Sequence, residues 1–153
     1  MEAAGGGAAQ RARVLVSLMA FGASQSDRGR RFARHMKMHL TDSAAVVEIL
    51  RGEQRGRPLT PARLGERIGL SSGATSLLLN RLEAAGHITR QRGHADRRLV
   101  TLHSAEAVHA EAEAFFEPQR AHLDEILARC STAELALVER VVTELTAAAD
   151  ADS

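Results

Sequence analysis

In this 153-residue chain, the side chains best suited to chemistry are a set of arginines and a run of small polar residues. Arg90, Arg92, Arg97 and Arg98 surround a glycine-containing stretch in which Asp96 is the one acid. A guanidinium group is always charged, presents five donors and enters a narrow DNA minor groove favourably, because the negative potential is deepest there. Asp96, two residues before Arg98, is spaced to hold that arginine in one orientation through a charge-assisted hydrogen bond. Upstream lie Ser71, Ser72, Gly73, Thr75, Ser76 and Asn80, short hydroxyl and amide side chains of the kind that bond base edges and phosphates in a major groove. Taken singly, a solvated helix face and a charged loop would explain them as well. Their adjacency favours a nucleic-acid surface.

Other chemistries find less support. No glycine-rich nucleotide loop, nucleophile elbow or HExxH occurs, so no catalytic residues are assigned. His35 and His39 stand four residues apart, as do His109 and Glu113, and each pair could face one ion on a helix. Neither completes a ligand set, so no metal or cofactor is assigned, and a zinc-responsive regulator is kept as an alternative. Cys130 is the only cysteine, which excludes a disulfide framework; the expectation is a packed thiol on an apolar stripe in a cytoplasmic protein. Aromatic residues make up 3%, with no Trp or Tyr, too few for base-stacking platforms. No run of 18 apolar residues occurs, so no membrane span is expected.

Net charge is +1, but it is unevenly spread. Residues 1–54 hold eight Lys/Arg against five Asp/Glu, residues 55–103 nine against three, and residues 104–153 three against eleven. A basic middle suits a polyanion, and an acidic end suits protein contact.

The elements that must position these residues follow from periodicity. Residues 1–9, rich in Gly and Ala, read as a flexible leader outside the fold. Val14, Leu15, Leu18, Met19, Phe32, Met36 and Leu40 mark one long helix over about 10–40, with a bend near Gly22 or Gly29. Thr41 or Asp42 caps a second helix, closed by Gly52 and Gly56. Thr60-Pro61 starts a short third helix that Gly69 ends. The Leu70-Ser71-Ser72 turn leads into a fourth, with Ala74, Leu78, Leu82 and Ala85 on its apolar face and Gly86 as its stop. Two short helices joined by a tight turn form a helix-turn-helix. The β-formers of 87–92 and 97–102 then flank a polar tip, which adds a hairpin wing. Beyond Ser104 the chain is helical again, with Pro118 expected to kink it. Ser131 and Glu134 form a capping box before Leu135, Val138, Val142 and Leu145, whose three-four-three spacing makes a seam for another helix. The fold class is mainly α with a small β-hairpin wing.

Leu64 to Thr75, Arg81 to Arg90, Asp96-Arg97-Arg98 and Val100-Thr101-Leu102 together resemble the MarR family of winged helix-turn-helix transcription regulators. The resemblance extends to the long first helix and the two last ones. It implies a homodimer on double-stranded DNA, with recognition helices in successive major grooves of a pseudo-palindrome and wing arginines in the flanking minor grooves. Arg98 would be the wing-tip residue and Asp96 its positioner. By the same resemblance, 10–40 and 104–153 are dimerisation helices around a DNA-binding lobe at 41–103, and a small-molecule inducer would sit between them, lined by His35, Met36, His39 and Phe116. One departure concerns Leu102-His103-Ser104, where the family's glycine after Leu-Thr is missing and His103 or Ser104 must cap the next helix. A winged helix that binds an acidic protein instead of DNA is the remaining alternative.

Overall fold

The computed structural model describes residues 2–93 and 98–151. In chain order the elements are α1 (Glu2–His35), α2 (Leu40–Gln54), α3 (Pro61–Ile68), α4 (Ser72–Ala84), β1 (Ile88–Arg92), β2 (Val100–Ser104), α5 (Glu106–Leu127) and α6 (Thr132–Ala151). The expected class, mainly helical with one antiparallel hairpin, is what the structure has. Contacts group the chain into two compact units, Met1–Ala112 and Glu113–Ser153.

In the first unit, α1 begins at Glu2, so residues 2–9 belong to the helix instead of forming a separate leader. Alanines 3, 4, 8 and 9 are the strongest helix formers and outweigh the three glycines among them. The helix passes Gly22 and Gly29 and stops five residues before Leu40. Lys37 turns left-handed at φ 53°, and Met38 N donates back to Ala33 O at 2.9 Å, a closure that satisfies carbonyls at the helix end. His39 therefore takes the N-cap position of α2 in place of Thr41 or Asp42, and it caps through its backbone, without a side-chain bond.

The helix pair forms as its capping residues dictate. Thr60 Oγ1 accepts from Arg63 N at 3.3 Å ahead of Pro61, and Gly69 ends α3 at φ 69°. Ser71 Oγ accepts from Ala74 N at 3.3 Å to start α4. The two helices approach closely where α3 carries Gly65: a Cβ there would lie 2.7 Å from Thr75 Oγ1 and 3.2 Å from Leu70 O. Phe32, Val46, Ile49, Leu64, Leu78, Leu79, Leu82, Ile88 and Leu102 are all buried, so α1, α2, α3, α4 and both strands share one core. The hairpin runs from Ile88↔Ser104 to Arg92↔Val100, and Leu102 N donates to Leu59 O at 2.8 Å, which lays the segment before α3 beside β2.

β2 thus extends through His103 and Ser104, neither of which caps α5 as expected. Glu53 holds both: Ser104 Oγ donates to Glu53 Oε2 at 2.6 Å, Ser104 N to Oε1 at 3.2 Å, and His103 Nδ1 lies 3.2 Å from Oε1.

In the second unit, helix α5 continues through Pro118 to Leu127. Phe115 and Phe116 meet edge to face with ring centres 5.1 Å apart. The capping box is present, with Ser131 N donating to Glu134 Oε2 at 2.7 Å and Glu134 N to Ser131 Oγ at 3.3 Å. Ser131 Oγ also donates to Glu134 Oε2 at 2.7 Å, and the bond from Ser131 N first and this hydroxyl bond second hold the Glu134 carboxyl below its ordinary value. Cys130 lies in the turn between the helices, half-buried, and not on the helical stripe, because α5 ends at Leu127. Leu137, Val138, Val142 and Leu145 are all exposed.

Gly65→Ala should destabilise the chain by about 1–3 kcal/mol, since the added methyl must displace Thr75 or the Leu70 carbonyl in a packed contact. A urea titration checks this: the midpoint should fall while the slope is unchanged. An unaltered midpoint would mean that the two helices do not meet at this point.

Candidate nucleic-acid interface

One side of α4 is set by its core residues. Thr75, Leu78, Leu79 and Leu82 are buried, so at 100° per residue the opposite side carries Gly73, Ser76, Leu77, Asn80 and Ala84, all exposed. Ser71 and Ser72, at the N-terminal end, are exposed as well. The structure therefore brings together five of the six α4 residues that the sequence pointed to. Thr75 is the correction. It is 3% exposed, its hydroxyl donates to Ser71 O at 2.8 Å, and it packs against Gly65, so it braces the turn and cannot reach a base. Ser71 has a similar divided role, because its hydroxyl is already engaged as the cap.

Leu77 was missed. It is 70% exposed in the middle of this face. Its signal was available: the apolar stripe Ala74, Leu78, Leu82 leaves it unaccounted for, one turn after Gly73.

Three acids on α2 aim the helix pair and the wing. Asp42 accepts two bonds from Arg81 of α4, Nε at 3.1 Å and Nη2 at a shorter distance. Asp42 is nearly buried, whereas Arg81 is half exposed, and these bonds followed by the charge attraction raise the Arg81 pKa. Glu48 takes Arg67 of α3 at 2.9 Å and Arg51 of its own helix at 2.6 Å. Burial pushes the Glu48 carboxyl up, but bonds from Arg67 and Arg51 and their charges together outweigh it and hold the group below the ordinary carboxylate value. Glu53 holds β2, as described above. Each acid on this one helix thus fixes a different element.

The hairpin arginines are not equivalent. Arg90 is a strut: Nη2 donates to Asn80 Oδ1 at 2.8 Å and Nη1 lies 3.1 Å from Glu83 Oε2, which ties β1 to α4. These two bonds use two of its five donors, and its side chain is partly exposed. Arg92, at the end of β1, and Arg98, just before β2, are exposed. Asp96 and Arg97 lie outside the described residues.

The residues expected to line a ligand pocket come from both units and are described in turn. His35 Nε2 lies 3.0 Å from Glu111 Oε2, Met36 follows at the end of α1, and His39 is the cap of α2. Phe116 belongs to the second unit. Within the first unit a cavity of about 720 Å³ opens elsewhere, between α1, α2 and α3, and Gln25, Ser43, Glu48 and Arg67 are among its lining residues. Among the described residues, Ser43 Oγ and Gln25 Nε2 are buried without a hydrogen-bond partner. No cluster of three or more His, Cys, Asp or Glu side chains suited to a metal occurs among the described residues. Among them, too, no helix is long and apolar enough to cross a membrane.

Comparison with known proteins agrees with this geometry. Residues 38–99 match the model of the MarR family. An uncharacterized HTH-type transcriptional regulator of Bacillus subtilis, YcgE, is 42% identical over 45 residues, covering 29% of each chain. The HTH-type transcriptional regulator TtmR of Methylorubrum extorquens is 36% identical over 75 residues, 48% of this chain and 37% of its own length. The chain thus spans about a third of the length of these curated relatives. Among solved structures, a MarR family protein from Bacillus stearothermophilus superposes with a TM-score of 0.59 over 92% of this chain and 96% of its own, at 21% identity. That likeness is one of fold.

Arg81→Met should cost about 1–3 kcal/mol, because it leaves the Asp42 carboxylate nearly buried with neither of its bonds. The double variant with Asp42→Asn should recover part of that loss in the same urea assay. Purely additive losses would show that the two side chains are not coupled.

Proposed function

We propose that this chain, whose residues 38–99 match the model of the MarR family, is a cytoplasmic homodimeric transcription regulator of that family that binds double-stranded DNA. The observation that carries this reading is the exposed side of α4, where Gly73, Ser76, Leu77 and Asn80 stand beside a hairpin bearing exposed Arg92 and Arg98. A helix of that composition fits a major groove, and the arginines beside it fit the adjacent phosphates and minor groove. Arg98 is the residue assigned to the minor groove, with Asp96 its positioner.

Two surfaces support a dimer. On α1, Val14, Leu15, Val16, Met19 and Phe21 are exposed, and on α6 so are Leu137, Val138, Val142 and Leu145. Apolar stripes of this extent in water are characteristic of protein contact surfaces. A dimer built on them sets the separation of two α4 helices, which must approach one turn of DNA, about 34 Å. The pseudo-palindromic operator follows from that symmetry. Occupancy of a promoter by the dimer would exclude polymerase, which makes the chain a repressor. Release follows if a small ligand binds better to a mis-spaced dimer. The cavity beside Ser43 and Gln25 supports such a ligand site better than the set His35, Met36, His39 and Phe116, because two buried polar atoms there await partners.

Affinity for a duplex selected from genomic fragments should fall steeply with salt, by a log–log slope of about 0.9 per neutralised phosphate. Arg98→Ala should weaken binding by about 1–3 kcal/mol in fluorescence anisotropy titrations. Salt-independent binding would favour a protein partner over DNA, and an unaffected Arg98 variant would remove that residue from the interface. Val142→Asp places a charge in the α6 stripe and should yield a monomer by sedimentation, with DNA affinity lost alongside. A monomer that binds as tightly as the unaltered chain would separate the two properties.

A further inference from the structure

Gly73, Leu77, Asn80 and Ala84 succeed one another on α4 at steps of four, three and four, and so form one stripe along the exposed side. One exposed leucine is ordinary on a protein surface. Two features of its surroundings distinguish this one. An added Cβ at Gly73 would meet nothing within 4 Å, so one turn before Leu77 the helix presents bare backbone to the outside. One turn after it, Asn80 is held by Arg90, and the way it is held decides what Asn80 can offer.

A guanidinium has donors only, so the amide atom 2.8 Å from Arg90 Nη2 must be the carbonyl oxygen Oδ1. The usual ambiguity in the orientation of an asparagine amide is thereby removed. The NH2 group lies on the other side of the amide carbon, and no hydrogen bond engages it among the described residues. Oδ1 has a second lone pair, but any further donor brought to it meets the positive charge of Arg90. A bidentate contact to adenine needs Oδ1 to accept from the 6-amino group while the amide nitrogen donates to N7. Held by Arg90, Asn80 is poorly prepared for that contact and well prepared to donate to an edge that only accepts. Leu77 stands three residues away, about 4.5 Å along the helix axis, close to one base-pair step of about 3.4 Å.

We infer that α4 reads a methyl beside an acceptor: Leu77 packs on the C5 methyl of a thymine, and Asn80 donates to an acceptor on the neighbouring base, with Arg90 as the residue that positions the amide. This rests on the DNA-binding reading and specifies its half-site. Glu83, at 3.1 Å from the other nitrogen of Arg90, keeps the guanidinium in place between the wing and the helix.

The full-length chain is first used to select a duplex from a random library, and that duplex is then resynthesised with single-atom changes. Replacing thymine by uracil removes only the methyl. At one position in a single half-site this should weaken binding about fourfold, the effect of one buried methyl, and the loss should vanish in Leu77→Ala. Replacing adenine by its analogue without the 6-amino group should cost nothing at the base that Asn80 contacts. In Arg90→Ala that same replacement should begin to cost, because Oδ1 is released to accept, whereas Arg90→Lys, still a donor, should behave like the unaltered chain. A merely structural role for Arg90 would lower affinity in both variants without creating dependence on the 6-amino group. Circular dichroism melts of each variant separate unfolding from altered reading. Uracil duplexes bound as tightly as thymine ones would overturn the Leu77 contact. Loss of the 6-amino group that weakens the unaltered chain but not Asn80→Ala would overturn the donor role. A chain that enriches no duplex at all fails earlier, with the DNA-binding reading itself.

Discussion

The bidentate bond between Asp42 and Arg81 joins residues 39 positions apart and is the constraint on which the rest of the first unit depends. Apolar burial decides that α4 turns Leu78, Leu79 and Leu82 inward, but burial is not directional and would tolerate some roll of the helix. A two-point hydrogen bond tolerates little roll, because both guanidinium nitrogens must stay in the plane of the carboxylate. Asp42 also sits in the first turn of α2, where the helix dipole favours a negative charge before any partner is counted. Glu48 and Glu53 repeat the arrangement further along, each ending on a different element. Helix α2 thus acts as a frame with three polar attachment points, for α4, α3 and β2 in turn.

That frame explains a division among the cations. Arg51, Arg67, Arg81 and Arg90 are engaged with carboxylates of the same unit. Of these, an exposed pair such as Arg90 with Glu83 contributes little stability by itself, about 0–1 kcal/mol, so its value lies in position more than in energy. The excess of positive charge in residues 55–103 is therefore smaller where it counts than the sequence total suggests. A charge count along the chain cannot show which arginines are engaged with acids from elsewhere in the unit.

What was legible in the sequence was local. Thr60-Pro61, Ser71 and the Ser131–Glu134 box each declare a helix start through bonds that span three residues, Gly69 declares a helix end through its left-handed φ, and all of them form. The hairpin declared itself through β-formers around a glycine, and the helical stripe around Leu78 and Leu82 showed which way α4 faces. The rest failed where distant residues decide. Thr75 reads as a surface hydroxyl until Gly65 of the neighbouring helix is brought against it. Asp42 reads as a cap until Arg81 arrives, and Ser104 as a helix start until Glu53 takes its hydroxyl. Arg90 reads as one more wing cation, and only the pairing of β1 with α4 shows that Asn80 and Glu83 occupy it. The reading of residues 1–9 as a leader rested on small side chains that bury nothing, yet residues 2–9 continue the helix that follows them.

The tie between Arg90 and α4 bears on how such a molecule could be switched. If the wing hung on its turn alone, a small displacement of the core could move α4 and leave the hairpin behind, and a polyanion could retain half its contacts. With Arg90 joined to both Asn80 and Glu83, the strand and the helix move as one body. Any displacement of α2 is passed on to α4, α3 and β2 through its three acids at once. On the proposed reading, a ligand in the cavity that α1, α2 and α3 enclose would press on that frame, since Glu48 and Arg67 both line it. A shift at that point would move the reading helix and the arginines together, so both sets of contacts would weaken in the same step. Release would then be steep in ligand concentration only to the extent that the frame has two discrete positions, because a packed core of this density does not deform continuously.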